Sequence, residues 1–278
     1  MFPLYFKLKQ PIFALTGVSS NSQKGVTTDY HHISKRINYS RNAMASQNPR
    51  ISFQSALGNK LLAFQLAIPA STQIGTLPKT FCDSMTVRES VFVDEIQAVP
   101  LVHHTDTDDA RSCHWVLYSP NPKNEQPIGT IRLVPSPHHP HPKAGDSFVP
   151  PGLDAPAQTS EEVFLGPLPM YGVDRATSLH DGIEPYVKLG RLCVVKEFRG
   201  AKFADVVIQA ALKWAGDNPG FADKERQWKG LVCVHASEKA VTTWTRNGFV
   251  LDEGMGWWLE AGMKHVGMFC SVPVREEV

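Results

Sequence analysis

One stretch, residues 189–215, constrains the fold of this chain more than any other part of the sequence. Its apolar run at 192–195 is typical of a buried strand. A tight basic turn at 199–202 follows, and it leads into residues 204–215, whose apolar side chains recur at helical spacing. That apolar stripe consists of Val207, Ala211 and Trp214. A strand that passes through a short turn into an amphipathic helix predicts an α/β unit with the helix packed on a sheet.

The turn itself has the composition of a phosphate-binding loop. A strand–turn–helix junction brings several backbone N–H groups and the positive end of the helix dipole to one place. Gly200, Ala201 and Ala204 are small enough to let a pyrophosphate approach the backbone, while Arg199 and Lys202 add positive charge. The alternative is an ordinary strand–helix connection with solvated basic residues, and the segment taken alone is compatible with both.

The rest of the pattern predicts a mixed α/β sheet, because the early elements are largely antiparallel strands and the later strands alternate with helices. We expect strands at 61–69, 114–118, 128–134, 187–195, 231–235, near 249 and at 265–272, with helices at 79–97, 204–215 and 239–247.

The chain divides into a tail and one large domain. Residues 1–59 form a tail whose first 43 residues carry six basic side chains against the single acid Asp29. This composition fits a mitochondrial transit segment or a disordered tail, and translation from Met44 is a third reading. Residues 60–278 form the domain, which is interrupted at 135–186 by a proline-rich insertion that we expect to be a partly disordered surface loop.

The net charge, the length of the apolar runs and the cysteines limit the kinds of partner and compartment that this chain can have. The net charge is +1, which gives no support for nucleic acid or an anionic membrane surface as a partner. No apolar run approaches the roughly 18 residues of a membrane span. Five cysteines without paired spacing indicate a reducing compartment, so we expect a cytoplasmic protein, or a mitochondrial one if the tail is a transit segment.

Several motifs in the second half resemble those of the GNAT superfamily of acyl-CoA N-acyltransferases. Arg199-x-x-Lys202-x-Ala204 is similar to its acetyl-CoA-binding motif, Arg/Gln-x-x-Gly-x-Gly/Ala, and KAVTTWTRNGFV resembles its closing helix, with the pair Gly248 and Phe249. RESVFVDE, LGR and WLEAGMKHVGM are similar to the ElaA-like branch. The likeness spans about 60–272 and extends to the glucosamine-phosphate acetyltransferases.

The resemblance implies a GNAT fold: a largely antiparallel sheet with parallel, splayed central strands and flanking helices. It also implies acetyl-CoA as co-substrate, without a metal, and a thioester carbonyl polarised by backbone N–H groups of the splayed strand. The implied contacts to acetyl-CoA are Cys193, Val194, Val195, Arg199, Gly200, Ala201, Lys202, Phe203 and Ala204.

This sequence departs from the family at two positions. Lys202 replaces the central glycine of the motif, so its backbone must avoid a positive φ or tolerate strain. Trp244 stands where the family usually has a tyrosine that protonates the leaving thiolate, and an indole N–H is no useful acid. A catalytically degenerate acyl-CoA-binding protein, acting as sensor or scaffold, is therefore the alternative to an N-acetyltransferase.

Candidate catalytic side chains are those expected near the splay and at the end of the first helix. They are Glu95, His235, Glu260 and His265, each offered as a base or a substrate contact, and each equally readable as a surface carboxylate or an ordinary histidine. Arg191 would bind an anionic substrate or pair with Glu95. The acceptor is a primary amine of a small molecule, such as an amino-sugar phosphate, or of a peptide, and a homodimer stays open.

Two polar clusters are set aside. His138, His139 and His141 lie among prolines in a loop, which offers no scaffold for metal coordination, so we expect no metal site there. Asp106, Asp108 and Asp109 read as a solvated acidic loop, although with Arg88 and Arg132 they are similar to the acyl-homoserine-lactone synthases of the same fold.

Overall fold

A mixed nine-stranded sheet forms the centre of the computed structural model, which describes residues 49–152, 155–170, 172–223 and 225–275. The strand order is β1-β2-β3-β5-β6-β9-β8-β4, and β7 pairs with β9. Among the named strands of the described residues, β5–β6 and β4–β8 pair in parallel and the other pairs are antiparallel. The strands are β1 Ile51–Gln54, β2 Cys113–Tyr118, β3 Pro127–Val134, β4 Ser147–Phe148, β5 Val187–Val194, β6 Leu231–Ser237, β7 Val250–Leu251, β8 Trp257–Glu260 and β9 Met263–Ser271.

Helices cover both faces of this sheet. They are α1 Lys79–Arg88, α2 Asp108–Arg111, α3 Ser160–Phe164, α4 Phe203–Asp217, α5 Pro219–Ala222 and α6 Val241–Arg246. A π-helical segment, Glu89–Glu95, continues α1. The prediction of a mixed α/β fold, largely antiparallel with parallel central strands and flanking helices, is confirmed. Among the described residues, no helix is both long and apolar enough to cross a membrane.

The two central strands diverge after a short parallel stretch. β5 and β6 pair only from Val187↔Val232 to Leu189↔Val234. On the other side of β5, the register with β3 shifts between Thr130 and Arg132, and Arg191 has a φ of 53°. An extra residue in one strand bends it and increases its local twist. The bulge at Arg191 therefore coincides with the point where β5 leaves β6 and a gap opens between them.

The apolar stripe of α4 packs into the main core. Val207 and Ala211 are fully buried, and Trp214 is partly buried against the same cluster as Val232 and Val234 of β6. Full burial of a valine side chain such as Val207 stabilises the fold by roughly 1.5–3 kcal/mol. The helical spacing seen in the sequence therefore gives the correct packing face of the helix.

The N-terminal part of the domain differs from expectation. The sheet begins at Ile51, nine residues before the predicted boundary at residue 60, because β1 pairs antiparallel with β2. The predicted strand at 61–69 is wrong: a 3-10 helix, Gly58–Ala63, precedes an irregular segment. Its apolar side chains are buried in a second cluster against α1, so burial did not require a strand. Residues 1–48 of the tail predicted at 1–59 lie outside the described residues.

The insertion at 135–186 contributes to the core. Its described residues include only β4 and α3 as regular elements, and α3 begins with a capping box between Thr159 and Glu162. However, Val163 and Phe164 are buried in the second cluster with Phe64 and Phe81. The insertion is therefore not simply a surface loop, because apolar side chains within this proline-rich segment pack beside α1.

Candidate functional site

The turn between β5 and α4 presents a row of free backbone donors. None of the N–H groups of residues 200–204 has a hydrogen-bond acceptor among the described residues. Gly200 has a φ of 85° and Lys202 a φ of 61°, so the chain turns tightly before the 15-residue helix begins at Phe203. Successive N–H groups in such a turn form an anion-binding concavity, and the helix dipole adds to its positive potential.

Lys202 occupies a strained backbone position. Its φ of 61° and ψ of 21° lie in the left-handed region, which costs a non-glycine residue about 1–2 kcal/mol. The sequence left open whether this position avoids a positive φ, and the structure shows that it does not. The exposed Lys202 side chain makes no capping hydrogen bond to the helix, so its charge is available to an anion at the turn.

Arg199 is fixed at the start of the turn. Its guanidinium donates two hydrogen bonds to the Glu95 carboxylate, at 2.7 and 2.6 Å, and its Nε donates to the carbonyl of Val194 at 2.8 Å. The hydrogen bonds from Arg199 lower the pKa of Glu95. Both carboxylate oxygens of Glu95 are thus engaged, and this side chain positions the turn.

Arg191 does not pair with Glu95, contrary to one expectation. Its guanidinium contacts Asp106 at 2.6 Å, because the bulge at Arg191 places it beside the loop that precedes α2. Asp109 is also not solvated: it is buried and pairs with Arg88 and Arg132 at 2.7 Å each. The acidic run therefore anchors α1 to β3 through buried ion pairs, which a sequence pattern of charges cannot distinguish from a solvated loop.

Of the three strand residues expected at the thioester, only one directs its N–H group into the gap. The N–H of Val195 donates to Ile128 of β3 at 2.9 Å. Because successive N–H groups of a strand point in opposite directions, that of Val194 points away from β3. The Cys193 thiol is buried beside Val87 and Val91, and burial raises its pKa to about 12, which makes it inert as a nucleophile.

Three of the four candidate catalytic residues meet at the mouth of the gap. His235 lies one residue beyond the last β5–β6 pair, and its Nδ1 is 3.5 Å from Oε1 of Glu260. Oε2 of Glu260 is 4.0 Å from Nε2 of His265. Trp258 donates its indole N–H to Oε1 of Glu260 at 2.7 Å. The adjacent strands β6, β9 and β8 bring these side chains together across the sheet.

Lys188 belongs to the same cluster, and the sequence reasoning missed it. Its Nζ is 3.0 Å from Nδ1 of His235. Burial lowers the pKa of Lys188, and burial together with Lys188 lowers the pKa of His235 to about 3. His235 is therefore neutral near pH 7. The sequence signal that could have identified Lys188 is a lysine within an otherwise apolar strand.

Trp244 lies in the main core and not at the gap. It is 3% exposed, and its ring packs edge-on against Phe249 with centroids 5.0 Å apart. The tyrosine that the resemblance implies at this position is therefore replaced by a packing residue.

Comparisons with known proteins give similarities of fold only. No protein-family model matches the sequence, and no curated protein matches it. Among solved structures, an acyl-CoA N-acyltransferase from Pseudomonas aeruginosa is 15% identical, with a TM-score of 0.43 over 81% of this chain and 100% of that one. Escherichia coli ElaA is 17% identical, with a TM-score of 0.42 over 79% and 99%. BjaI, a CoA-dependent acyl-homoserine lactone synthase, is 14% identical, with a TM-score of 0.43 over 81% and 84%.

Proposed function

We propose that this chain is an acyl-CoA-dependent N-acyltransferase that transfers an acetyl group from acetyl-CoA to a primary amine. One observation carries the proposal: the N–H groups of residues 200–204 lack acceptors among the described residues, and they stand at the start of a 15-residue helix. The strand before them stops pairing with its neighbour after Leu189, so a pyrophosphate at the turn would lie beside the place where the two strands separate. The motif Arg199-x-x-Lys202-x-Ala204 agrees with this assignment.

The proposed reaction is direct transfer. The amine nitrogen attacks the thioester carbonyl carbon, the carbonyl oxygen becomes anionic, and the N–H of Val194 is the backbone donor directed toward it. The C–S bond then breaks and the sulfur leaves as thiolate. A thiol with a pKa near 8.5 leaves readily near neutral pH, so the buried Trp244 need not protonate it. The ammonium of the addition intermediate loses its proton to a base.

Glu260 is the carboxylate best placed to accept the proton; His235 and Trp258 beside it hold the pKa of its carboxyl well below the usual range, so it is ionised near pH 7 but is a weak base. Its Oε1 is held by Trp258, whereas Oε2 makes no hydrogen bond among the described residues, and the side chain is 37% exposed. The indole N–H of Trp258 positions the carboxylate, and the neutral ring of His235 lies beside Oε1. Glu95 is less suited, because Arg199 occupies both of its oxygens.

Binding is tested by reversing the charge at the turn. Lys202→Glu should weaken acetyl-CoA binding about tenfold or more by calorimetry, since about 1.4 kcal/mol of electrostatic attraction corresponds to that factor. Lys213→Glu is the matched control, because Lys213 is exposed on the same helix, about 16 Å further along. Equal affinities in both variants would place the anion elsewhere.

Catalysis is tested at the carboxylate. Glu260→Gln should lower kcat by about 10²-fold without changing acetyl-CoA affinity, the lower end of the effect of a general base, because a carboxylate with a lowered pKa accepts a proton weakly. Amines of lower pKa should lose less. Glu253→Gln, at an exposed turn, is the matched control. An unchanged kcat in Glu260→Gln would exclude this carboxylate as the base.

The acceptor is best found with a panel of amines that spans a range of pKa values. Glucosamine 6-phosphate belongs in the panel because its amine needs little help to deprotonate, as do peptides with free N-termini and small polyamines. The second candidate function, acyl-CoA binding without turnover, is favoured by the burial of Trp244. Tight acetyl-CoA binding with no thiol release against the whole panel would support that second function.

A further inference from the structure

Three side chains from the two ends of the insertion at 135–186 lie close together, with their polar atoms within 4.8 Å of one another. His141 follows β3 and is 4% exposed, and His180 precedes β5 and is also 4% exposed. Asp174 stands between them in sequence. We propose that His141, Asp174 and His180 bind a divalent first-row transition-metal ion, such as Zn²⁺, that ties the insertion together at its base.

The spacing of the three ligand atoms fits such an ion. Nε2 of His141 is 3.0 Å from Nδ1 of His180 and 3.5 Å from Oδ2 of Asp174. All three atoms lie within 4.8 Å of one another. A tetrahedral Zn²⁺ with bonds of about 2.0–2.2 Å holds its ligand atoms about 3.3–3.6 Å apart. The site therefore needs only small adjustments to bind the ion, and its fourth position stays open to water.

The protonation pattern also favours a cation. Nε2 of His180 donates to the carbonyl of Glu184 at 2.8 Å, so in the neutral ring Nδ1 carries the lone pair that faces His141. The carboxylate of Asp174 faces the same atom of His141. Without an ion, the hydrogen on Nε2 of His141 would be shared between Nδ1 of His180 and Oδ2 of Asp174. A metal ion would instead bind all three of these atoms.

Neighbouring groups hold two of the three ligands by hydrogen bonds: His180 donates its other ring N–H to Glu184, and Asp174 accepts from backbone N–H groups, whereas Nδ1 of His141 has no hydrogen-bond partner among the described residues. Oδ1 of Asp174 accepts from the backbone N–H groups of His141 at 2.9 Å and Arg175 at 2.6 Å. Oδ2 accepts from the same His141 N–H at 3.1 Å and is the oxygen that faces the ring of His141. The His141 ring stacks on Tyr186 with centroids 5.3 Å apart, and the His180 ring stacks on Phe269 at 5.8 Å.

Access and ligand type narrow the class of ion. A surface cavity lined by Asp174, His180 and His138 reaches the site. Two imidazoles and one carboxylate suit zinc, iron(II) or cobalt(II) better than calcium or magnesium, which prefer oxygen ligands. The sequence argument against a metal here was that a proline-rich loop lacks a scaffold. The buried ring stacking and the backbone hydrogen bonds to Asp174 are that scaffold.

The experiment uses the full chain without an affinity tag, stripped with a chelator and titrated with Zn²⁺ by calorimetry. We expect one ion per chain and a rise in Tm, because an ion that binds only the folded state stabilises it by mass action. Asp174→Asn and His180→Gln should each weaken Zn²⁺ binding by about 100-fold or more, because each changes a direct ligand and loss of an outer-shell partner already costs about 10–100-fold.

His139→Gln is the matched control, since this exposed histidine lies two residues from His141 in the same tract. It should bind Zn²⁺ like the unaltered chain. Circular dichroism of each stripped variant checks folding, and Co²⁺ gives a second readout: its visible absorption bands should appear with the unaltered chain and be lost in His180→Gln. Failure of the folded, unaltered chain to bind Zn²⁺, or equal loss of affinity in the control, would overturn the proposal.

Discussion

At the residue scale, a substitution at Trp244 distinguishes a role in core packing from a role in catalysis. Because its indole is buried against Phe249, Trp244→Tyr should cost about 1–2 kcal/mol of unfolding free energy through incomplete filling of the core, with kcat unchanged. Urea denaturation and thiol-release assays measure the two quantities. A large change in rate at unaltered stability would mean that the indole contacts the co-substrate.

Glu89 is the residue whose titration should affect stability most clearly. Its carboxylate accepts from the N–H of Ala70 at 3.0 Å and lies 3.7 Å from Nε2 of His104, and burial raises its pKa to about 7. Between pH 4.5 and 7 the folded chain keeps a proton that the unfolded chain has lost, so this group makes stability fall as pH rises.

Glu89→Gln should remove that fall. Between pH 4.5 and 7, the free energy of unfolding falls in the unaltered chain. We expect the fall in the variant to be smaller by about 1–3 kcal/mol. The neighbouring His104 has a pKa lowered to about 4 by burial, and its opposite slope is shared by both proteins. Urea midpoints across this range give the answer, and identical slopes would show that Glu89 titrates normally.

At the scale of elements, the start of α4 combines strain with binding. Lys202→Gly should stabilise the fold by about 0.5–1 kcal/mol, because glycine adopts a positive φ without the penalty that lysine bears. The same change should weaken acetyl-CoA binding through loss of charge. Lys213→Gly, in the interior of the helix, should instead cost about 1 kcal/mol. Destabilisation of both variants alike would show that Lys202 is not strained.

At the scale of the whole molecule, the insertion contributes buried side chains to the second hydrophobic cluster, where they pack against the N-terminal part of the domain. Phe164 is 4% exposed, and its ring lies 6.4 Å from that of Phe64. Phe164→Ala should cost about 3–5 kcal/mol of unfolding free energy, as expected for a large cavity. Leu168→Ala, at a 53% exposed site in the same insertion, should stay within about 0.5 kcal/mol. Equal, small effects would make the insertion dispensable.

The sequence by itself determined the elements whose signal is local. The apolar spacing of Val207, Ala211 and Trp214 gave the buried face of α4, and the small and basic residues at 199–204 marked the turn before it. His235, Glu260 and His265 could be chosen as candidates because strand ends are recognisable, and the structure brings these three side chains together. These features depend on neighbours within a few residues, where periodicity and turn chemistry act directly.

Only the tertiary structure decided which distant side chains meet. The pairing of Arg199 with Glu95, 104 residues away, and the contact of Lys188 with His235, 47 residues away, follow from the order of the strands and the placement of α1. His141 and His180 likewise meet because β3 and β5 are neighbours. Burial at these positions is set by elements packed across the sheet, so the pKa values and ligand geometry that depend on it have no signature in the local sequence.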